Sequence, residues 1–189
     1  FMSATGLTIL TAIGIAAVIA GVYGLIAGWK HVVVKEREIA FDPLPPSYDG
    51  YRIVQLSDLH IGTYRFDPRV VDRIVERVNA LNPDLIVFTG DLVNRRPDEL
   101  EPFIPALSRL TARDGVVSIM GNHDYCVYGN FKTQRERVEA IHRLQSMQRD
   151  SLGWRLLLNE NMTIGRDGQR IVIAGVENAG KGFVDHADL

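Results

Sequence analysis

The chain has 189 residues, with 21 lysine and arginine residues against 23 aspartate and glutamate residues, and a net charge of −2. A balance this close to neutral, without a basic stripe, excludes the electrostatic footprint expected of a nucleic-acid-binding protein. The single cysteine, Cys126, excludes an internal disulfide framework and a zinc site built from thiolates. No charged side chain lies within residues 1–29, so an apolar N-terminal segment precedes a charged part that is long enough for one globular domain.

The N-terminal segment predicts a transmembrane helix. Residues 7–29 (LTILTAIGIAAVIAGVYGLIAGW) would span about 34 Å as an α-helix, which is enough to cross a bilayer core. A cleaved signal peptide has a basic start and a shorter apolar region, and this segment has neither. We therefore assign residues 1–29 to a retained membrane anchor. Gly24 and Gly28 form a GxxxG pair that suits contact with a second transmembrane helix, although glycine is also generally common in such helices.

A basic cluster and a linker follow the anchor. By the positive-inside rule, Lys30, Lys35 and Arg37 place the globular part in the cytoplasm. Within residues 30–50, the alternating pattern of residues 31–40 predicts an edge strand, and the proline-rich residues 42–50 predict a turn or linker.

From Tyr51 onward, apolar runs alternate with amphipathic segments, which is the βαβαβ pattern of an α/β protein with a parallel sheet. The apolar runs are residues 52–56, 84–88 and 116–120. Three short strands of a second sheet or a meander are predicted at residues 154–158, 161–164 and 169–174.

Three helices are predicted between and after the apolar runs. The first has Asp67 as its N-cap and Pro68 at the first helical position, and its 3.6-residue apolar period ends before Pro83. The second, over residues 98–112, is interrupted by prolines, so its start is not defined by the pattern. The third opens with a capping box at residues 133–136 and runs to about residue 148.

Each of the three central strands ends in polar residues that a buried strand has no packing reason to carry. They are Asp58 and His60 after the first strand, Asp91 after the second, and Asn122, His123 and Asp124 after the third. Because ligands bind beyond the carboxyl ends of the strands in an open parallel sheet, we expect these residues to converge. A strand-end cap or an ordinary loop histidine would explain any one of them alone. Three evenly spaced strand ends together favour a site.

The residue types favour metal-assisted phosphoryl chemistry. Carboxylates, an imidazole and an amide oxygen suit a divalent cation such as Mn²⁺, Fe²⁺, Zn²⁺ or Mg²⁺. Asp91, on the middle loop, is placed to bridge two ions, and paired ions polarise a phosphoryl group and lower the pKa of a bound water. His123 is interpreted as the group that protonates or stabilises the leaving oxygen, and Asp124 as the carboxylate that orients it. Gly90 and Gly121 fit tight strand-to-loop turns.

The motifs DLH at residues 58–60, GD at 90–91 and GNHD at 121–124 resemble those of the calcineurin-like metallophosphoesterases, over residues 51–176. The anchor followed by a proline-containing stretch and RIVQLSDLHIG is similar to the membrane-associated bacterial branch, which includes UDP-2,3-diacylglucosamine pyrophosphatase-like proteins. The resemblance implies a four-layer α/β/β/α sandwich and hydrolysis of phosphomonoesters, phosphodiesters or pyrophosphate bonds. It also places the chain at a bacterial inner or plasma membrane.

The resemblance further implies two divalent metal ions, for which Mn²⁺, Fe²⁺ and Zn²⁺ are the leading candidates. By this resemblance Asp58, His60 and Asp91 would hold the first ion, Asp91 and Asn122 would hold the second, and His123 would be catalytic.

The C-terminal part departs from the family pattern. The family completes its site with a later histidine and a GHxH motif, whereas after His142 this sequence contains only His186, without that context. Residues 173–178 (IAGVEN) resemble the segment that precedes those histidines. We therefore expect residues 51–189 to be a truncated domain with an incomplete sandwich, cut from a longer enzyme, and the fragment alone need not be active.

Two functions remain open. The leading hypothesis is a membrane-anchored metal-dependent phosphoesterase, whose anchor favours a lipid-linked substrate. The alternative is a non-catalytic scaffold that keeps the fold and binds a protein partner, but such relatives tend to lose the catalytic histidine, which is present here. Candidate substrate contacts are Tyr125, Tyr128 and Asn130 at the mouth and Arg65, Arg95 and Arg96 for phosphate. For each of them a solvated loop side chain is the preferred interpretation.

Overall fold

The computed structural model describes residues 4–26, 32–65 and 67–178 and contains two compact units, Phe1–Ala40 and Phe41–Leu189. In the first unit, helix α1 covers Ala4–Ile26, so the predicted helix is present and begins three residues earlier than expected. The predicted helix end at residues 27–29, with Gly28, lies outside the described residues, and so does Lys30.

The first unit departs from the sequence-based expectations in one respect and leaves another open. Residues 32–40 form no strand, so the predicted edge strand is wrong there, and residue 31 lies outside the described part. Alternation of apolar and polar residues provides strand propensity, but a strand also needs a neighbouring backbone with which to pair. Within the described part of the chain, no helix combines the length and the apolar character needed to cross a membrane. The membrane anchor therefore stays a prediction.

The second unit is built on a four-stranded parallel sheet, ordered β1-β2-β3-β4. Its strands are β1 (Ile53–Leu56), β2 (Leu85–Phe88), β3 (Val116–Ser118) and β4 (Arg155–Leu156). The first three confirm the predicted apolar runs, with slightly shorter limits. The fourth joins the parallel sheet, whereas the sequence suggested a second sheet or a meander. A two-residue strand is too short for its periodicity to show which sheet it enters.

Helix α2 (Arg69–Asn79) confirms the most strongly patterned helix and begins one residue later than predicted. Pro68, rather than Asp67, occupies the cap position. Instead the Asp67 carboxylate accepts a hydrogen bond from the Arg69 guanidinium at 3.2 Å, while its backbone carbonyl accepts from Val70 at 3.2 Å. The Asp67 carboxylate, which the sequence pattern assigned to the cap, therefore pairs with the neighbouring Arg69.

The other two helical regions differ in regularity. Helix α3 is short, Ile104–Leu107, and follows the 3-10 turns Pro97–Glu99 and Glu101–Phe103, as expected for a segment rich in proline. Helix α4 (Gln134–Ser146) begins at the predicted cap, where the Thr133 side chain accepts from the backbone N–H of Glu136 at 3.1 Å. A π-helical turn, Met147–Ser151, extends α4.

Alternate residues of the sheet face two different cores. Ile86 and Phe88 belong to the core that contains the buried faces of α2, α3 and α4. Leu85 packs in the second core with Ile164 of the hairpin formed by β5 (Glu160–Arg166) and β6 (Gln169–Gly175). The described residues therefore form three layers, helices, parallel sheet and hairpin, and the fourth layer of the implied sandwich is not among them.

The topology brings the strand ends together. The order of the strands in the sheet follows their order in the chain, and right-handed connections then place α2, α3 and α4 on one face. The carboxyl ends of β1, β2 and β3 are therefore neighbours at one edge of the sheet. Only the loops at that edge carry the predicted site residues.

Asp84 lies at the other edge, before the amino end of β2, in a cluster of cations. Its carboxylate accepts from the Arg52 backbone N–H at 2.8 Å, from Arg166 at 3.0 Å and pairs with Arg113 at 3.1 Å. Burial alone would raise the pKa of this carboxyl. The Arg52 hydrogen bond and the two guanidinium groups outweigh burial and hold the pKa of Asp84 below its usual range.

We expect Asp84→Asn to lower the free energy of unfolding at pH 7 by about 1.5 to 3 kcal/mol, the value of hydrogen bonds to a charged group. A depressed folded-state pKa stabilises the fold above the unfolded pKa of about 3.9, and this stabilisation is lost as the pH falls through the folded value. Urea unfolding at pH 7 and pH 3 should therefore show a smaller difference from wild type at pH 3. Asp150→Asn, an exposed carboxylate, is the control. Equal destabilisation at both pH values would contradict the argument.

Candidate metal centre

The loops that follow the parallel strands bring predicted ligands together. His60 Nε2 lies 3.9 Å from Asp58 Oδ1 and 3.9 Å from Asp91 Oδ2. One ligand atom each of His60, Asp91 and His123 lies within 4.8 Å of the others. The convergence expected from the parallel topology is therefore present for residues of all three loops.

Three predicted ligands occupy left-handed backbone conformations, with φ angles of 53° at Asp58, 43° at His60 and 59° at Asp91. Such angles cost roughly 1 to 2 kcal/mol for residues with a Cβ atom. Backbone hydrogen bonds between the loops hold these conformations, from Asp58 N to the Gly90 carbonyl and from His60 N to the Asp91 carbonyl, both at 3.0 Å. Strain of this kind clusters at functional sites, which supports a role for this edge of the sheet.

Gly90 and Gly121 pack against each other behind the ligands. A Cβ atom at Gly90, where φ is 99°, would lie 2.5 Å from the Gly121 backbone nitrogen. A Cβ atom at Gly121 would overlap the carboxylate of Asp91. Both positions therefore require glycine, as the sequence analysis expected for tight turns close to a ligand.

His123 is held by its backbone, its ring nitrogen and two neighbouring rings. Its backbone N–H donates to Asp91 Oδ1 at 2.9 Å, and its Nδ1 lies 2.7 Å from the Asn94 carbonyl oxygen. The ring centroids of His60 and Tyr128 lie 4.5 Å and 4.4 Å from that of His123. A carbonyl oxygen can only accept, so Nδ1 carries the proton and Nε2 is the atom left for ligation or proton transfer.

Asp124 does not take the position expected for it. The sequence suggested that its carboxylate orients the His123 ring, but the Asn94 carbonyl supplies that hydrogen bond. The fully buried Asp124 carboxylate instead accepts from four backbone N–H groups, those of Asp91, Leu92, Val93 and Gly121, at 2.8 to 3.1 Å. Burial raises the pKa of Asp124 to about 7, although these backbone hydrogen bonds oppose the rise. Asp124 therefore ties the second and third loops together.

Asn122, the amide ligand candidate, contacts a residue of its own loop. Its Nδ2 atom donates to the hydroxyl of Tyr128 at 3.3 Å. Tyr128, for which the sequence preferred a solvated loop position over one at the mouth of the site, therefore touches both Asn122 and His123. The ring of Tyr128 remains 45% exposed, so it lies at the surface of the site.

Asn94 and Glu99 were not predicted as site residues. The Asn94 carbonyl binds His123, and the Asn94 backbone N–H donates to Glu99 Oε2 at 2.6 Å. The residue type of Asn94 does not encode this role, because the atom involved is a backbone oxygen. Glu99 carried no pattern in the sequence that marked it as a partner of this loop.

Other candidate substrate contacts are engaged in loop packing. Arg96 pairs with Asp98 at 3.1 Å, donates to the Asn130 carbonyl at 3.3 Å and lies 4.7 Å from the centre of the Phe131 ring. Tyr125 is buried, and its hydroxyl donates to the Glu177 carboxylate. For Arg96 and Tyr125 the contacts are structural.

The donor set fits a divalent cation. Ligand atoms at 2.0 to 2.2 Å from a shared ion are at most about 4.4 Å apart. The two 3.9 Å separations around His60 Nε2 satisfy this limit. Imidazole and carboxylate ligands without a thiolate match borderline and hard divalent ions. Asp58, with 64% of its side chain exposed, lies on the solvent side of the group.

Comparison with known proteins gives a family match that covers this site. The profile of the calcineurin-like phosphoesterase family matches residues 51–188. The chain is 38% identical over 136 residues to a transmembrane protein with metallophosphoesterase domain from Danio rerio, covering 68% of this chain and 30% of that protein. It is 39% identical over 97 residues to the metallophosphoesterase YkuE of Bacillus subtilis, covering 50% of this chain and 33% of that protein.

A third relative carries a named activity. The chain is 40% identical over 83 residues to the UDP-2,3-diacylglucosamine pyrophosphatase LpxG of Chlamydia trachomatis, covering 42% of this chain and 24% of that protein. In all three alignments the matched region therefore spans a third or less of the relative's length.

Proposed function

Because the chain belongs to the calcineurin-like phosphoesterase family, we propose that it carries the metal-binding loops of a hydrolase that cleaves a phosphomonoester, phosphodiester or pyrophosphate bond. The observation that carries this proposal is the convergence of His60, Asp91 and His123 within 4.8 Å at the carboxyl edge of the sheet. The family match and the pyrophosphatase relative support the same class of reaction.

The predicted ligands would hold two cations, with one carboxylate contributing to both. Asp58, His60 and Asp91 would hold the first ion, and Asp91 with Asn122 the second. Mn²⁺, Fe²⁺ or Zn²⁺ bound there would polarise the phosphoryl group and lower the pKa of a bound water. The Asp91 backbone N–H donates to the Asp124 carboxylate, and Asp91 Oδ1 accepts from the His123 backbone N–H, so the third loop holds both the backbone and the side chain of Asp91.

His123 is the proposed proton donor to the leaving oxygen. The Asn94 carbonyl retains the Nδ1 proton, so Nε2 is the nitrogen that delivers a proton when the imidazole is charged. A hydrogen bond from the His123 backbone N–H to Asp91 Oδ1 ties the backbone of this proposed donor to the proposed shared ligand.

Membrane attachment and a lipid-linked substrate are part of the same proposal. The 23 residues of α1 contain no charged side chain, and the relatives from Danio rerio and Bos taurus are named transmembrane proteins. The Chlamydia trachomatis relative is named for a nucleotide-linked acylated sugar. We therefore propose a substrate whose phosphate lies close to a bilayer, with the globular part on the cytoplasmic side.

The test is hydrolysis of bis-p-nitrophenyl phosphate and of UDP-2,3-diacylglucosamine with added Mn²⁺, by the full-length protein from membrane and soluble cell fractions. We expect activity in the membrane fraction. Asp91→Asn and His60→Ala should each lower both kcat and Mn²⁺ affinity by at least about 10-fold. Asp150→Asn and His142→Ala, which change exposed side chains on the α4 segment, are the matched controls.

Two outcomes would count against parts of the proposal. Activity confined to the soluble fraction would contradict the proposed membrane attachment. Tight Mn²⁺ binding without hydrolysis of either substrate would favour the non-catalytic scaffold, in which the same fold serves to bind a protein partner.

A further inference from the structure

Tyr128 is an exposed aromatic residue that contacts two residues of the proposed site. Its hydroxyl accepts a hydrogen bond from Asn122 Nδ2 at 3.3 Å. Its ring centroid lies 4.4 Å from that of His123, with a tilt of 35° between the rings. Both contacts are to residues of the proposed site.

The contact with Asn122 matters because the two ends of an amide differ. Only the oxygen of an asparagine side chain can coordinate a cation, and the NH₂ group can only donate. With Nδ2 facing the Tyr128 hydroxyl, Oδ1 faces away from Tyr128. In the reversed orientation the phenol would donate to Oδ1 and occupy the oxygen that a cation needs.

The loop that carries Tyr128 is closely packed, although the side chain of Tyr128 itself is exposed. Gly129 N donates to the Cys126 carbonyl at 3.0 Å and closes a turn around Tyr128. A Cβ atom at Gly129 would lie 2.8 Å from the Arg95 carbonyl oxygen and would overlap the Phe131 ring. The segment after His123 therefore presses closely on the segment after Asp91.

We propose that Tyr128 is a positioning residue with two separable effects. By accepting from Nδ2, its hydroxyl stabilises the Asn122 orientation that would present Oδ1 to the second cation, and its ring packs against the His123 imidazole. The proposal rests on the assignment of Asn122 as a ligand in the proposed function and adds a residue outside the ligand set. Substitution of the hydroxyl alone should change cation affinity, and removal of the ring should also change turnover.

The experiment compares Tyr128→Phe and Tyr128→Leu in the full-length protein. Isothermal titration with Mn²⁺ alone should show about 10-fold weaker binding of the second equivalent in both variants, as is typical when a residue that orients a ligand is removed. At saturating Mn²⁺, kcat should stay within twofold of wild type in Tyr128→Phe and fall at least 10-fold in Tyr128→Leu. The melting temperature should not change in Tyr128→Phe, because the ring and its packing are kept.

The matched control is Tyr51→Phe, which removes a 2.7 Å hydrogen bond to Asp114 at the opposite edge of the sheet. This variant should bind both equivalents of Mn²⁺ as wild type does. Wild-type affinity in Tyr128→Phe, or an equal loss in Tyr51→Phe, would overturn the positioning role and leave the hydrolase proposal intact. Weaker Mn²⁺ binding in Tyr128→Phe would support the role even in a protein that hydrolyses neither substrate.

Discussion

Replacing His123 by alanine is expected to lower kcat by about 10²- to 10⁴-fold at saturating Mn²⁺, the range for loss of a general acid. The reason is that the Asn94 carbonyl holds Nδ1, which leaves Nε2 as the nitrogen that can protonate a leaving oxygen. The measurement is steady-state hydrolysis of diphenyl phosphate, whose poor phenolate leaving group depends on protonation, by the full-length protein over a range of Mn²⁺ concentrations. His142→Ala, which removes an exposed imidazole on α4, should leave kcat unchanged.

The same variant separates two roles for His123, because its ring nitrogen also lies within 4.8 Å of ligand atoms of His60 and Asp91. An acid should be dispensable for binding, so the Mn²⁺ affinity of His123→Ala should stay within about threefold of wild type. A loss of affinity as large as the loss of kcat would instead make His123 a ligand. A substrate with a better leaving group should recover part of the lost rate only if His123 is the acid.

Asp124→Asn is expected to lower the free energy of unfolding by about 4 kcal/mol, since each buried donor left without an acceptor costs about 1 to 3 kcal/mol. The carboxylate accepts two hydrogen bonds at each oxygen, from Asp91 and Gly121 at Oδ2 and from Leu92 and Val93 at Oδ1. An asparagine NH₂ group would face two of these donors with hydrogens of its own. Urea unfolding followed by circular dichroism measures the change, with Asp150→Asn as the exposed control.

This prediction also distinguishes the observed role of Asp124 from the one expected from sequence. If the carboxylate acted by orienting His123, the variant would lose turnover at saturating metal with little change in stability. A change in unfolding free energy below about 1 kcal/mol would contradict the role of Asp124 in joining the two loops. We expect stability and Mn²⁺ affinity to fall together, because the loop held by Asp124 carries Asp91, the proposed shared ligand.

The parts of the fold that follow from local pattern were predictable. The strands β1, β2 and β3 are short apolar runs at regular spacing, and α2 has an unbroken 3.6-residue period. A helix or strand that is buried on one face or on both carries apolar side chains on the buried faces, and this requirement leaves the periodicity in the sequence. The strand β4 was predicted within residues 154–158, but its place in the parallel sheet was not predictable, since two residues carry no period and only their pairing with β3 places them there.

The site divides in the same way. Asp58, His60 and Asp91 could be selected from the sequence because they follow buried strands, and parallel pairing makes neighbouring strand ends meet. Tertiary structure alone decided the partners of Asp124. These partners are backbone N–H groups, which nearly every residue has, so the sequence contains no signal that identifies them.

Sequence by itself thus determined the alternation of strands and helices, the parallel sheet and the chemical class of the proposed ligands, because these depend on residue type and spacing. Tertiary structure decided that the Asn94 carbonyl sets the proton position on His123 and that Tyr128 meets Asn122. Both contacts depend on the path of the backbone through two loops, which is set by the packing of the whole unit rather than by the identity of any one residue.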